Sequence, residues 1–211
     1  MQVEEDAKSA AKGGQKDEKA KPKAKKKTVD KWKKKIWYTL YAPAYFDSKP
    51  LGETIAEKPE MVQDRIIIVG ARELSPAKKA SATISFKVRE VKGNKAYTEP
   101  ILHQVSPDYI RRLVRRRASK IECVQDVVTK DNVKVRVKTL ALTVRKATND
   151  QCTAIRKIVV DGILDFAKSK TYDKVITELI FGNLPAKITA DAKKVAALKR
   201  VEIIKSRVLS Q

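Results

Sequence analysis

The sequence predicts an α+β fold: a strongly curved antiparallel β core, barrel-like in its tendency to close, with flanking helices and a disordered basic N-terminal tail. Three observations predict it. Between residues 65 and 146, short apolar runs and period-two alternation recur, the pattern of strands that bury one face. From Asp150 the apolar spacing lengthens to three and four residues, which suits helices lying on a core. Residues 1–31 hold no aromatic and only Val3 and Val29 as larger aliphatics, too little apolar area to offset the entropy of ordering them. The expected organisation is therefore a lysine-rich tail over 1–31 and a single folded body over 32–211, with helices near 107–117, 150–168 and 172–181.

Trp32 to Phe46 opens the body with six of the twelve aromatics of the chain in fifteen residues, beside three lysines. Pro43 and Pro50 divide this region into short extended pieces and turns. Arg65 to Ala71, R-I-I-I-V-G-A, reads as a buried strand. Ile84, Phe86 and Val88 alternate with Ser85, Lys87 and Arg89, and the turn Lys92-Gly93-Asn94 leads to a return arm over Lys95 to Leu102. Ile121 to Val128 and Val133 to Lys146 form a second hairpin across Thr129-Lys130-Asp131-Asn132. On its second arm Val133, Val135 and Val137 give way to Leu140, Leu142 and Val144, so the apolar phase slips by one. A bulge or bend near Lys138 or Thr139 would restore one buried face and curl the sheet. Cys152, Ile155, Val159, Ile163 and Phe166 mark a helix capped by Asn149 or Asp150, and Val175, Ile176, Leu179 and Ile180 mark another that stops at Gly182-Asn183 before Pro185. Asp191 to Leu198 is read as helix and Arg200 to Val208 as a basic strand.

Charge points to the function class. The chain carries 47 Lys and Arg against 25 Asp and Glu, a net +22, well beyond what solubility requires. The first 35 residues hold 13 basic and 6 acidic side chains, leaving 34 and 19 in the body, so the excess is not confined to the tail. Its most arginine-rich run is Ser106 to Lys120, S-P-D-Y-I-R-R-L-V-R-R-R-A-S-K. Ser106 can cap a helix, Pro107 suits its first position and Asp108 its positive end. On helical spacing Arg111, Arg112, Arg115 and Arg116 share one side, with Ile110, Leu113 and Val114 opposite; Arg117 falls in the apolar arc, so either the helix ends near Arg116 or this side chain snorkels outward. Forked guanidinium groups can each meet two phosphate oxygens, which suits a nucleic-acid backbone. An anionic lipid surface fits less well, because the apolar side lacks Trp and Phe. The residues expected to meet RNA are Lys31, Lys33, Lys34 and Lys35, the rings of Trp37, Tyr38 and Tyr41, then Arg111, Arg112, Arg115, Arg116, Arg117 and Lys120, and Arg136 on the second hairpin.

Enzyme and metal signatures are missing from the sequence. His103 is the single histidine and falls at a strand end, where packing or hydrogen bonding accounts for it. Cys123 and Cys152 stand far apart without metal-ligand or redox spacing, which suits a reducing compartment. Phosphate-binding glycine motifs are absent, and no 18-residue apolar run or signal core occurs. The expectation is a cytoplasmic binding protein without cofactor or catalytic residues. A freestanding single-stranded RNA-binding or chaperone protein, stacking bases on the N-terminal aromatics, is the alternative to a permanent assembly.

Trp37 to Pro43 (W-Y-T-L-Y-A-P), Asp108 to Arg116 (D-Y-I-R-R-L-V-R-R), Asp126 to Asp131 (D-V-V-T-K-D), Ile155 to Lys157 and Lys199 to Ser206 (K-R-V-E-I-I-K-S) carry a resemblance to a known family. In this order, over about Lys33 to Val208, they resemble the small-subunit ribosomal proteins of archaea and eukaryotes called S3Ae or S1e, with a lysine-rich N-terminus like that of archaeal members. The resemblance implies a structural constituent of the 30S/40S subunit, with small-subunit rRNA and neighbouring platform ribosomal proteins as partners, near the mRNA exit channel and therefore near mRNA. Asp108 to Arg116 would supply the basic helix of the family and Lys33 to Phe46 its RNA-facing arm.

Overall fold

A computed structural model describes residues 31–74 and 81–210, apart from the side chains at 31 and 210. By contact the chain divides into Met1–Lys33 and Lys34–Gln211, and among the described residues the sheet and the α-helices belong to the second unit. The expected tail, and with it the side chain of Lys31, lies outside the described residues.

The strands are β1 (Ile36–Tyr41), β2 (Pro50–Ala56), β3 (Ile66–Gly70), β4 (Ala82–Lys92), β5 (Lys95–Val105), β6 (Lys120–Val128), β7 (Lys134–Thr143) and β8 (Leu198–Ser210); the helices are α1 (Ala71–Leu74), α2 (Pro107–Leu113), α3 (Asn149–Ser169), α4 (Tyr172–Phe181) and α5 (Leu184–Ala192). All eight strands join one sheet organised around β5. One edge of β5 pairs with β4; the other is shared, with β1 at Lys95 to Tyr97 and β8 at Leu102 to Gln104. The β1–β5 ladder is parallel and the others antiparallel, so the sheet is mixed where an antiparallel core was expected. Among the described residues no ladder connects β6 to β2 or β3. The pairing is thus open, and the expected barrel closure is not made.

Helices α3, α4 and α5 cover one face. Ile155, Val159, Ile163, Leu179 and Ile180 share a core with Ile84, Phe86, Val135, Val137, Val201 and Ile203, each at most 3% exposed; burial of such a side chain is worth about 1.5–3 kcal/mol. A smaller core of Tyr38, Leu40, Val62, Val88 and Ala96 lies under β1 and β2. Helix α3 begins in a reciprocal capping box, Thr148 with Gln151, rather than at Asn149 or Asp150. Helix α4 is fixed at its start from elsewhere in the chain: the Tyr172 amide donates to Asp131 at 2.8 Å, and the Tyr172 hydroxyl donates to the Pro100 carbonyl at 2.6 Å. That puts Asp131 to use in the β6–β7 turn, where Asn132 takes φ +59°, a left-handed conformation that asparagine tolerates.

Two expectations from the apolar pattern are corrected. Residues 66–70 form an edge strand that pairs only with β4, leaving Ile66 and Ile68 62% and 70% exposed; a continuous apolar run does not distinguish an edge from a buried strand. The terminal helix spans Leu184–Ala192 rather than 191–198, because Pro185 lies in its first turn, where its missing N–H costs nothing.

Candidate nucleic-acid interface

The phase slip on β7 has a different cause from the one its sequence suggests. Pairing of β7 with β6 runs without interruption from Lys134 to Leu142. Val135, Val137, Thr139, Ala141 and Thr143 stay buried in one phase, while Leu140 and Leu142 are buried in the other. These two leucines join Ile204 in a second small core on the opposite face of the sheet, covered by Ile110, Leu113 and Val114. A register shift does occur between Lys138 and Thr139, but only against β8, where Ile204 is the extra residue. The bulge turns Ile204 toward Leu140 and leaves Ile203 in the main core. Apolar residues on both sides of β7 are therefore what seat the basic segment on the sheet.

Within that segment the helix is shorter than expected. It ends at Leu113, with Val114 extended at φ −77° and ψ 121°. Continuing it would place Arg115 over Arg111 and Arg116 over Arg112, four like charges on one side with Asp108 as the one acid of the segment. Ending it lets both Leu113 and Val114 reach the small core and distributes the remaining arginines along an irregular connection to β6. Arg117 sits at φ +64° in that connection. The single arginine face is thus replaced by two helical arginines, Arg111 and Arg112, and three from the connection. Ser106 occupies the N-cap position without a side-chain cap bond.

All five arginines are exposed. Arg111 lies 3.7 Å from Asp108, and Arg112 donates to the Asp108 carbonyl at 3.3 Å. Arg115, Arg116 and Arg117 have no carboxylate partner among the described residues. The adjoining outer face of β6, β7 and β8 extends the charge. Register places Arg136 opposite Arg207 and Lys138 opposite Lys205, like-charged pairs that are unfavourable on their own. Glu122 bonds Lys120 and Lys138, which hold its carboxyl below the usual carboxylate range; the Arg136 guanidinium does the same to Asp126. Lys205 and Arg207 are left without a carboxylate partner among the described residues.

The expected contacts fare unequally. Tyr38 is only 3% exposed, so the reading of its ring as a stacking platform is corrected: β1 alternates, and Tyr38 points into the small core with Leu40. Arg136 donates from Nε and Nη2 to both Asp126 oxygens at 2.7 and 2.8 Å, and Lys120 is paired with Glu122; both charges are matched within the sheet. Trp37 is 58% exposed, and Lys33, Lys34 and Lys35 are exposed. Tyr41 is brought beside Tyr97 by the parallel ladder, ring centroids 6.4 Å apart, with Lys95 and Lys92 over the two rings at 5.8 and 5.5 Å. Tyr97, Lys92, Lys95, Lys199, Lys205 and Arg207 were not singled out from sequence. For Lys205 and Arg207 the signal was present in the basic final strand, but Ile203-Ile204 interrupts its alternation. His103 is buried at 1% exposure, away from any catalytic setting.

The model of the ribosomal S3Ae family matches residues 23–211, nearly the whole chain. The chain belongs to the ribosomal S3Ae family. Its relatives include the small ribosomal subunit protein eS1 of Methanobrevibacter smithii, 38% identical over 192 residues, covering 90% of this chain and all of that one. The eS1 proteins of Halorubrum lacusprofundi and Haloarcula marismortui are 41% and 39% identical over 172 and 173 residues, covering 81% and 82% of this chain and 80% and 81% of theirs. S3Ae membership makes this a small-subunit ribosomal protein of archaeal type and not an enzyme. The described residues hold no group of three or more His, Cys, Asp and Glu placed to bind a metal, and no helix long and apolar enough to cross a membrane.

Proposed function

We propose that this S3Ae protein is held in the small subunit by rRNA phosphates lying along Arg111, Arg112, Arg115, Arg116 and Arg117 and continuing over Lys205 and Arg207. One observation carries the reading: three consecutive arginines stand exposed on a connection anchored by its own small core, without carboxylate partners among the described residues. Each phosphate met by such a group releases condensed counterions, so binding is strong and salt-dependent. Paired RNA offers mainly backbone and 2′-hydroxyls to this surface, and shape rather than base sequence sets the position. The proposed location is the platform near the mRNA exit, in the cytoplasm, with neighbouring platform proteins as further partners. Lys33, Lys34, Lys35 and Trp37 are proposed to contact the same RNA, and Tyr41 with Tyr97 an unpaired stretch of it.

The Tyr41–Tyr97 pair between two lysines also favours a second reading, a freestanding single-strand binder. Sedimentation of archaeal lysate through a gradient in high salt separates the two. Co-migration with the small subunit is expected; recovery in the free fraction contradicts the proposal.

A further inference from the structure

Beneath the arginine connection the surface is concave. A hollow of about 350 Å³ opens between the end of α2, the start of the connection and the adjoining ends of β7 and β8. Its rim carries Arg115, Arg116 and Lys199; Leu113, Leu142 and Val144 are among the apolar residues lining it. Lys199, like the two arginines, has no carboxylate partner among the described residues. The volume lies at the low end of small-ligand pockets, about 300–1,000 Å³, and it is the combination of lining and rim that is informative. A phosphate ridge of paired RNA can meet the rim cations without entering, which would leave Val144, 56% exposed, facing water over an apolar floor. A planar base carried on a phosphate satisfies both parts, with its face on the aliphatic floor and its anion on the rim.

The walls are held in place. The Ser119 amide donates to the Thr143 hydroxyl at 2.7 Å, the Ala147 amide donates to the Ser119 hydroxyl at 3.1 Å, and the Val144 amide donates to the Ala197 carbonyl at 2.8 Å. A site fixed before binding loses little to reorganisation.

We infer that this hollow receives one unstacked nucleotide of an RNA chain, its base on Leu113 and Val144 and its phosphate between Arg115, Arg116 and Lys199. The inference rests on the RNA-binding reading above and adds a local preference to it: the protein selects paired RNA interrupted by a single extruded base, the kind of feature through which RNA is told apart by shape. A free mononucleotide has the same chemistry, but it lacks the flanking phosphates that the neighbouring cations would hold.

The test uses the full chain and two RNA hairpins of equal length, one fully paired and one with a single bulged 2-aminopurine. Binding is followed by anisotropy, and the probe by its fluorescence. The bulged hairpin is expected to bind about tenfold more tightly, the scale of burying one base face on aliphatic side chains, with a change in probe emission. Ala118 also lines the hollow, and Ala118→Phe, which fills it without altering charge, is expected to abolish the preference and the emission change while leaving affinity for the paired hairpin as it was. Val144→Asn, at an exposed position, makes the floor polar and should reduce the preference if the first variant does not fold. Equal affinity for the two hairpins, survival of the preference in both variants, or displacement of the bulged hairpin by adenosine monophosphate at equal concentration would overturn the inference and leave backbone binding intact. Failure of both hairpins to bind in low salt would remove the RNA-binding reading itself.

Discussion

Arg200 on β8 donates from Nη1 to the hydroxyl of Tyr109 on α2 at 3.0 Å. This bond spans 91 positions of sequence and ties the basic segment to the last strand of the sheet. The same guanidinium lies 3.2 Å from Glu202, so the bond is a fixed part of the outer face. It lies beside the small core formed by Leu140, Leu142 and Ile204, and the two linkages differ in strength.

An exposed side-chain hydrogen bond is worth about 0.5–1.5 kcal/mol at most, and Tyr109→Phe should fall at or below the lower end of that range. Urea denaturation is the measurement. A loss of several kcal/mol would mean that the hydroxyl supports far more than the docking of α2.

Leu142, at 1% exposure, and Leu140, at 0%, should behave as core residues although they face away from α3, α4 and α5. Replacing either with alanine is expected to cost about 2–5 kcal/mol. Val124→Ala on the same face, where the side chain is 59% exposed, should change stability by less than about 0.5 kcal/mol. If Leu140→Ala proves as mild as Val124→Ala, the second core is not formed.

Those two leucines also explain what the sequence could and could not tell. The β4–β5 hairpin, β6, α3 and α4 were legible because each has one mainly buried face and a clear turn or start. β7 was misread because it has two buried faces, and a single-face rule turns that into a phase error. The parallel contact of β1 with β5 joins residues more than fifty positions apart, and nothing local announces it. At the interface the arginines were legible as charge, but their arrangement was not: helical spacing placed four on one face, whereas repulsion and the pull of Leu113 and Val114 toward the sheet end the helix after two. Tyr38 and Tyr41 look equivalent in W-Y-T-L-Y-A-P, yet strand alternation and the Ala56 and Val88 side of the sheet bury the first.

Charge pairing gives two opposite dependences on pH. Hydrogen bonds from Lys120 and Lys138 lower the pKa of Glu122, so its stabilising effect is complete above the unfolded-state pKa and is lost as pH falls through the folded one. Burial first, then Asp131 and Glu99, raises the pKa of Asp173, so its penalty is absent at low pH and grows as pH rises through the carboxylate range. Glu122→Gln should therefore narrow its stability gap to the parent protein on acidification, and Asp173→Asn should gain on the parent as pH rises from acid to neutral. Denaturation midpoints measured from pH 3 to 7 check both signs; parallel profiles would refute them.

Arg117 offers a way to remove charge without harming the fold. Its φ of +64° is one that glycine adopts without a Cβ clash. Arg117→Gly is expected to keep the melting temperature at or near that of the parent while weakening RNA binding. Unchanged affinity would exclude Arg117 from the interface.

The most direct test of the central claim is the salt dependence of binding to small-subunit rRNA. The full chain should be compared with a variant in which Arg112, Arg115, Arg116 and Arg117 are glutamine. Each phosphate contact contributes about 0.7–0.9 to the slope of log affinity against log salt. The account predicts a slope shallower by about 2–4 and weaker binding at low salt, with the fold retained by circular dichroism. An unaltered slope and affinity in a folded variant would contradict it.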